Sequence, residues 1–256
     1  MKYISLPDEK VRRQTPAGVP IRSLSFYLAM EEFVARRLNE PDCFFMWQVE
    51  PSVIFGRNQV AENEVNLDYC KAHGIKVYRR KSGGGCVYAD MDNLMWSFIT
   101  TEENVGFAFN RFVNMVLLVL RKLGIPATGS SHNDIMIGDR KVCGTACYHV
   151  AGRSIVHSTM LYDTNMDHML NAITPGPEKL GKKGIQSVRQ RITLLKDFMQ
   201  EDHLPKSVEE LKTFIRETLC KGEYVLTEAE VTEVEQIEQT YLTEEFINLI
   251  QNNIWQ

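Results

Sequence analysis

Residues 78–90 read Tyr-Arg-Arg-Lys-Ser-Gly-Gly-Gly-Cys-Val-Tyr-Ala-Asp, so three consecutive glycines separate a basic strand end from an apolar run. Glycine forfeits side-chain packing and costs chain entropy, so such a run needs a reason. One reason is structural, a bulge or a tight crossing between strands. The other is chemical: bare backbone lets another molecule approach closely and offers amide N–H groups to an anion. Arg79, Arg80 and Lys81 favour the second, because clustered cations beside exposed amides suit a phosphate or carboxylate. Solvated charges at a strand end remain the alternative. The run matches neither G-x-x-x-x-G-K-[ST] nor a G-x-G-x-x-G that opens a helix. A second cluster joins Asn133 and Asp134 to Arg140-Lys141-Val142-Cys143-Gly144-Thr145-Ala146. Strand alternation puts Lys141 on one face with Cys143 and Thr145, and the small residues 144–146 leave space around its ammonium. The lysine is either a strand-edge charge or a cation held in a pocket, and composition alone favours the former.

Six cysteines (43, 70, 86, 143, 147 and 220) form no Cys-x-x-Cys pair of a zinc knuckle or redox centre. Cys143 and Cys147 share one face of a strand. A metal site there would need His149 and His157 as further ligands, whereas two small hydrophobes on a buried face need nothing more. A formal net charge of −4 over 256 residues gives no general pull toward nucleic acid or an anionic membrane. No leader is evident in MKYISLPDEK, and no stretch has the roughly 18 uninterrupted apolar residues of a membrane span, so a cytoplasmic protein is expected.

The elements that must position these residues follow from periodicity. Residues 23–38 carry Tyr27, Met30, Val34 and Leu38 at helical spacing behind Ser23 as a cap. FFMWQV (44–49) and SVIFG (52–56) read as strands joined at Glu50-Pro51, and IKVYR, CVYA and LMWSFIT as strands around the glycine run. Residues 109–123 are apolar around most of a helix and end at Gly124-Ile125-Pro126, which predicts a deeply buried helix with a clear stop. Turn signals at Gly138-Asp139 and Ala151-Gly152-Arg153 between β-rich runs predict an antiparallel meander. Beyond it, 207–219 opens with a capping box of Ser207 and Glu210, and two more helical stretches close the chain. The expected architecture is α+β, a mostly antiparallel sheet packed with helices, in one domain over residues 1–256 with 200–256 as its helical C-terminal portion.

In order along the chain, LAMEE (28–32), VIFGRNQ (53–59), RRKSGGGCVY (79–88), NDIMI (133–137), DRKVCGTA (139–146), VHSTML (156–161) and KGIQSVRQRIT (183–193) together resemble the lipoate-protein ligase A family, within the wider biotin and lipoate ligase fold. The resemblance implies a pocket for an acyl-adenylate, with ATP, Mg²⁺ and lipoate as the small molecules. By motif, Arg79, Arg80, Ser82, Gly83, Gly84, Gly85, Cys86, Val87 and Tyr88 would bind lipoate and nucleotide. Asn133, Asp134, Gly144, Thr145 and Ala146 would join them, and His157 would line the pocket. Lys141 matches the family lysine that touches both the acyl carbonyl and the phosphate, so the catalytic role falls to it. Asp134 suits Mg²⁺ or the orientation of nearby donors, with a structural carboxylate as the alternative. Lys183, Arg189 and Arg191 would serve the nucleotide or an acidic acceptor domain, or form a solvated stretch. The implied partners are apo lipoyl-domain proteins, namely E2 subunits of 2-oxoacid dehydrogenases or the glycine cleavage H protein, met by a monomer.

Two departures stand out. Many members read His-Asp-x-Gly-Asn where this chain has Ala89-Asp90-Met91-Asp92-Asn93, and only about 60 residues follow the last matched motif. The family's C-terminal accessory domain is therefore expected to be absent, which brings in a separate accessory-domain protein as a further partner. Three other functions compete with a ligase: a transferase without ATP that works through a cysteine thioester at Cys143 or Cys147, a transfer-only enzyme fed with lipoyl-AMP, and a non-catalytic binder. Retention of Lys141 and both arginines argues against the last.

Overall fold

The computed structural model describes residues 1–7, 13–14, 20–131, 134–173 and 191–248. The first half of the chain forms β1 (Lys2–Ser5), β2 (Arg13–Gln14), β3 (Pro20–Ile21), α1 (Leu24–Arg37), β4 (Asp42–Trp47), β5 (Ser52–Phe55), α2 (Ala61–Glu64), α3 (Leu67–Ala72), β6 (Lys76–Arg79), β7 (Val87–Ala89) and β8 (Asn93–Thr100). After α4 (Val105–Lys122) come β9 (Ala127–Gly129), β10 (Ile135–Ile137), β11 (Arg140–Val150), β12 (Arg153–Leu161) and α5 (Met166–Ala172). The described part ends with α6 (Val208–Leu219), β13 (Glu223–Val225), α7 (Glu228–Tyr241) and α8 (Glu244–Ile247).

Eight strands make one sheet in the order β13-β1-β4-β8-β12-β11-β10-β9, antiparallel except where β1 pairs with β13 and β4. Both faces are covered, which is why its strands read as continuous apolar runs rather than alternating ones. Phe45, Trp47, Met95, Ile99 and Ile155 pack toward α1 and α7, whereas Phe44, Met46, Trp96, Phe98 and Val156 pack toward α4 and α6. The expected α+β architecture is the one observed, and the meander from β10 to β12 is present. Its second turn places Ala151 (φ 52°) and Gly152 (φ 72°) in the left-handed region that a two-residue hairpin demands.

Several local expectations need correction. β4 and β5 are the two strands expected on either side of Glu50-Pro51, but they do not pair: β5 lies in a separate three-stranded sheet, parallel to β6 and antiparallel to β7. Helix α4 ends as expected at Gly124 (φ 73°), but it is buried along one face only, and Phe107 (60% exposed) and Leu118 (41% exposed) face solvent. Ser207 caps α6, but Glu210 turns back to Lys206 N, so the expected box is not closed; a complete capping box instead opens α7, between Thr227 and Glu230. The C-terminal portion also contributes a strand, β13, to the edge of the large sheet. The last predicted helix is described only as far as residue 248. Around Asp90, the carboxylate accepts from Asp92 N, Thr164 Oγ1 and Asn165 N, and Ala151 is the sole described non-glycine residue at positive φ. The Ala89–Asn93 turn therefore closes without a glycine.

Helix α1 is the central element. Ser23 caps it by accepting from Phe26 N, and Leu24–Ala35 is buried almost all round because the sheet covers one side and α7 the other. At its other end the buried Arg153 guanidinium donates to the carbonyls of Leu38 (2.9 Å), Glu40 (2.6 Å) and Pro41 (3.1 Å). A cation at a helix C-terminus both satisfies orphaned carbonyls and opposes the helix dipole. Arg153→Met is expected to lower unfolding free energy by about 1–3 kcal/mol, the cost of stranding buried acceptors; an unchanged urea midpoint would show that those carbonyls find other partners.

Candidate active site

Strand register builds the floor of a cavity. Two rows of neighbouring residues cross the large sheet on its α1 side: Trp47, Met95, Thr159 and Gly144 in one, and Phe45, Ser97, His157 and Ala146 in the other. Leu28 of α1, Ile54 of β5 and Gly84 and Gly85 of the glycine run between β6 and β7 complete the lining. The cavity volume is about 130 Å³. Its floor is core-like, with Leu28, Trp47, Ile54 and Met95 at most 4% exposed, whereas the Lys141 side chain at the mouth is 38% exposed. The cavity thus suits a molecule with an apolar chain and an anionic head.

Lys141 reaches that mouth through an irregularity. The pairing of β10 with β11 shifts register between Ile135 and Met136, leaving Val142 as an extra residue. The bulge corrects the expected alternation: Cys143 is buried in the core under α4, with Cys147 packed against the same core, and Lys141 lines the cavity with Gly144 and Ala146. The ammonium lies 2.9 Å from Asp134 Oδ1 and folds back over Gly144, where an added Cβ would fall 2.8 Å from Nζ. No other residue type leaves that space.

The basic trio at 79–81 separates to three different sets of partners within the chain. Arg79 points away from the cavity, donating to the carbonyls of Arg57 (2.7 Å) and Ile247 (2.9 Å) with its guanidinium over the Phe55 ring. Lys81 pairs with Glu32 and lies over Tyr241. Arg80 borders the cavity but is 4% exposed, and its donors are taken by Ser82 Oγ (2.9 Å) and the carbonyls of Ile54 (3.1 Å), Gly83 (2.7 Å) and Gly85 (2.7 Å). Burial pushes its pKa down to about 10, so it stays charged at neutral pH. The guanidinium therefore shapes the glycine run. Gly84, at φ 90°, adopts a conformation few other residues tolerate, and its carbonyl lies where a Cβ on Gly56 would be, at 2.4 Å.

Behind the run is a buried polar chain. His157 Nε2 lies 2.7 Å from Ser82 Oγ, and His157 Nδ1 lies 3.0 Å from Glu31 Oε2. Glu31, fully buried, also accepts from Ser97 Oγ at 2.6 Å, and Ser97 accepts from Trp47 Nε1 at 2.9 Å. Arg80 can only donate, so Ser82 accepts from it and keeps one proton and one lone pair for His157 Nε2. On the other side of the ring, Nδ1–H donates to the Glu31 carboxylate.

Of the residues singled out from sequence, Arg80, Gly84, Gly85, Cys86, Val87, Lys141, Gly144, Thr145, Ala146 and His157 surround this one cavity. Ser82 and Gly83 stand behind it as partners of Arg80, Asp134 pairs with Lys141, and Tyr88 packs into the separate core under the small sheet. Asn133, Lys183 and Arg189 lie outside the described residues, and Arg191 is exposed. Glu31, Leu28, Ile54, Ser158 and Thr159 were not singled out, although each falls within a quoted motif; Trp47 and Met95 carried no signal beyond strand pattern. Burial pushes the thiols of Cys86, Cys143 and Cys147 up to about 12, far from the range of a nucleophilic thiolate. Among the described residues no three His, Cys, Asp or Glu side chains gather into a metal site. Asp134 fits a Mg²⁺ ion only where phosphate oxygens and water supply the other ligands, an arrangement that ion favours.

Known proteins are similar to this chain in sequence and in fold. Residues 23–220 match the family model of the lipoyl protein ligase A/B catalytic domain. Lipoate–protein ligase 1 of Staphylococcus aureus is 37% identical over 216 residues, which cover 82% of this chain and 65% of that one. A chain of the archaeal bipartite lipoate protein ligase of Thermoplasma acidophilum, studied with its E2 lipoyl domain, superposes with a TM-score of 0.81 at 27% identity, over 99% of this chain and 98% of that chain. Lipoate-protein ligase A bound with ATP gives a TM-score of 0.78 at 27% identity, over 97% and 99% of the two chains. The chain spans between 50% and 67% of the length of the curated relatives it matches. With the match covering most of its length and both the glycine run and Lys141 inside it, the chain belongs to the lipoyl protein ligase A/B catalytic-domain family.

Proposed function

We propose that this chain joins lipoate to a lysine of apo lipoyl domains, first forming lipoyl-AMP from ATP. The observation that carries this is a cavity with an apolar floor and the half-exposed ammonium of Lys141, held by Asp134, beside bare glycine backbone. In the first step a carboxylate oxygen of lipoate attacks the α-phosphorus of ATP and the bond to pyrophosphate breaks. Two anions must meet, and a fixed ammonium lowers their repulsion and stabilises the charge that builds up. In the second step the acceptor's ε-amine attacks the acyl carbonyl, AMP leaves, and the amine loses a proton. Lys141 can stay on the phosphate through both steps. Mg²⁺ would arrive with the nucleotide, neutralising its phosphates, and Asp134 would be its protein carboxylate.

The acceptors in this reading are E2 lipoyl domains or the glycine cleavage H protein, met in the cytoplasm by a monomer. No helix among the described residues is long and apolar enough to cross a membrane. Similarity along 98% of a chain from a bipartite ligase supports a second protein that assists the activation step. A cysteine thioester mechanism is disfavoured because burial holds both candidate thiols, Cys143 and Cys147, and that of the cavity residue Cys86 in the protonated form.

Intact-mass spectrometry of an apo lipoyl domain incubated with the protein, Mg²⁺, ATP and lipoate tests the reading. The lipoyl adduct is expected with ATP, and without a partner protein it is expected at least from synthetic lipoyl-adenylate; no adduct from either would refute it. In that assay Lys141→Ala should lower transfer by about 100-fold or more. Gly144→Ala should lower it by about 10-fold or more by displacing the ammonium, with little change in the denaturation midpoint. A variant with Cys86, Cys143 and Cys147 all changed to alanine should keep its transfer activity, and total loss in a folded protein would revive the thioester route. Alkylation of these three thiols should be negligible at neutral pH and quicken as pH climbs toward about 12.

A further inference from the structure

We infer that Glu31 is a positioning residue that sets the shape of the glycine run from more than one side chain away. Glu31 touches neither the run nor the open cavity. Its carboxylate holds His157 Nδ1 at 3.0 Å, His157 holds Ser82 at 2.7 Å, and Ser82 holds Arg80 Nε at 2.9 Å. Arg80 in turn fixes the carbonyls of Gly83 and Gly85. The links from Glu31 through His157 and Ser82 to Arg80 are buried, so no water can replace a lost partner there without cost. Glu31 also orients the ring: its carboxylate holds the Nδ1 side of His157 and Ser97 together, which aims Nε2 at Ser82.

Placement of the residue on α1 gives the inference a structural basis. Leu28 on the same helix forms cavity wall, and the adjacent Glu32 anchors Lys81, the residue that precedes Ser82. One rigid helix thus governs both the acyl floor and the position of the glycine run. The catalytic consequence rests on the acyl-adenylate reading of the cavity; the structural one does not.

Glu31→Gln preserves shape but gives the site a donor where only acceptors fit, and Ser82→Ala cuts the chain at its far end. Amide ¹H–¹⁵N spectra of the wild type and both variants report on the run directly, since Gly83, Gly84 and Gly85 each give a resonance. The Glu31→Gln variant is expected to shift these resonances although Glu31 makes no contact with them. It should also move His157 away from the Nδ1–H tautomer, and the double variant should go little further than Ser82→Ala alone. If wild type transfers lipoyl groups, kcat/KM should fall roughly 10- to 100-fold in each single variant, again without additivity. Unshifted glycine resonances in Glu31→Gln, or additive losses in the double variant, would overturn the inference. An inactive wild type with shifted resonances would instead count against the ligase reading alone.

Discussion

The site depends on a guanidinium that has been taken out of water. Arginine cannot shed its charge, so a buried one persists only where acceptors meet nearly all its donors. Around Arg80 those acceptors are the carbonyls of Ile54, Gly83 and Gly85 together with Ser82. Meeting that demand folds the glycine run back on its own flank. In a trans peptide the N–H points opposite the preceding carbonyl, so turning the carbonyls of Gly83 and Gly85 inward turns the amides of Gly84 and Cys86 the other way. The run is therefore held open and shaped by charge, with no side chain of its own to do so.

From that constraint the division of labour follows. The cation nearest the glycines is held by its own backbone, and in the proposed reaction the charge that meets a bound anion is that of Lys141 on another strand. A bulge at Val142 and the missing side chain of Gly144 bring the lysine to the cavity mouth, and Asp134 holds it there. The two rows of side chains crossing β4, β8, β12 and β11 then supply an apolar floor that becomes polar toward His157 and Thr159.

Features set by neighbours in sequence were legible: the Ser23 cap, the stop at Gly124, the meander turns and the small residues around Lys141. Features set by tertiary partners were not. Periodicity cannot show that β4 and β5 belong to different sheets, because both are continuous apolar runs. Strand alternation placed Lys141 with Cys143, and one extra residue, Val142, reversed that. Three adjacent cations looked like one anion site, but Arg79, Arg80 and Lys81 find their acceptors in α8, the glycine run and α1, up to 168 residues away in the chain. The apolar residues of 109–123 predicted full burial, yet only one face of α4 meets the sheet. Glu31 stood inside a quoted motif, but nothing local distinguishes a buried carboxylate from one in solvent.

The most direct test of this account is a crystal structure with a stable analogue of lipoyl-adenylate. The account predicts the acyl chain over Trp47 and Met95, with Lys141 Nζ about 3 Å from both the acyl carbonyl oxygen and the phosphate. Arg80 should remain on its backbone carbonyls. An acyl chain bound elsewhere, or Arg80 turned out of its buried site onto the phosphate, would contradict it.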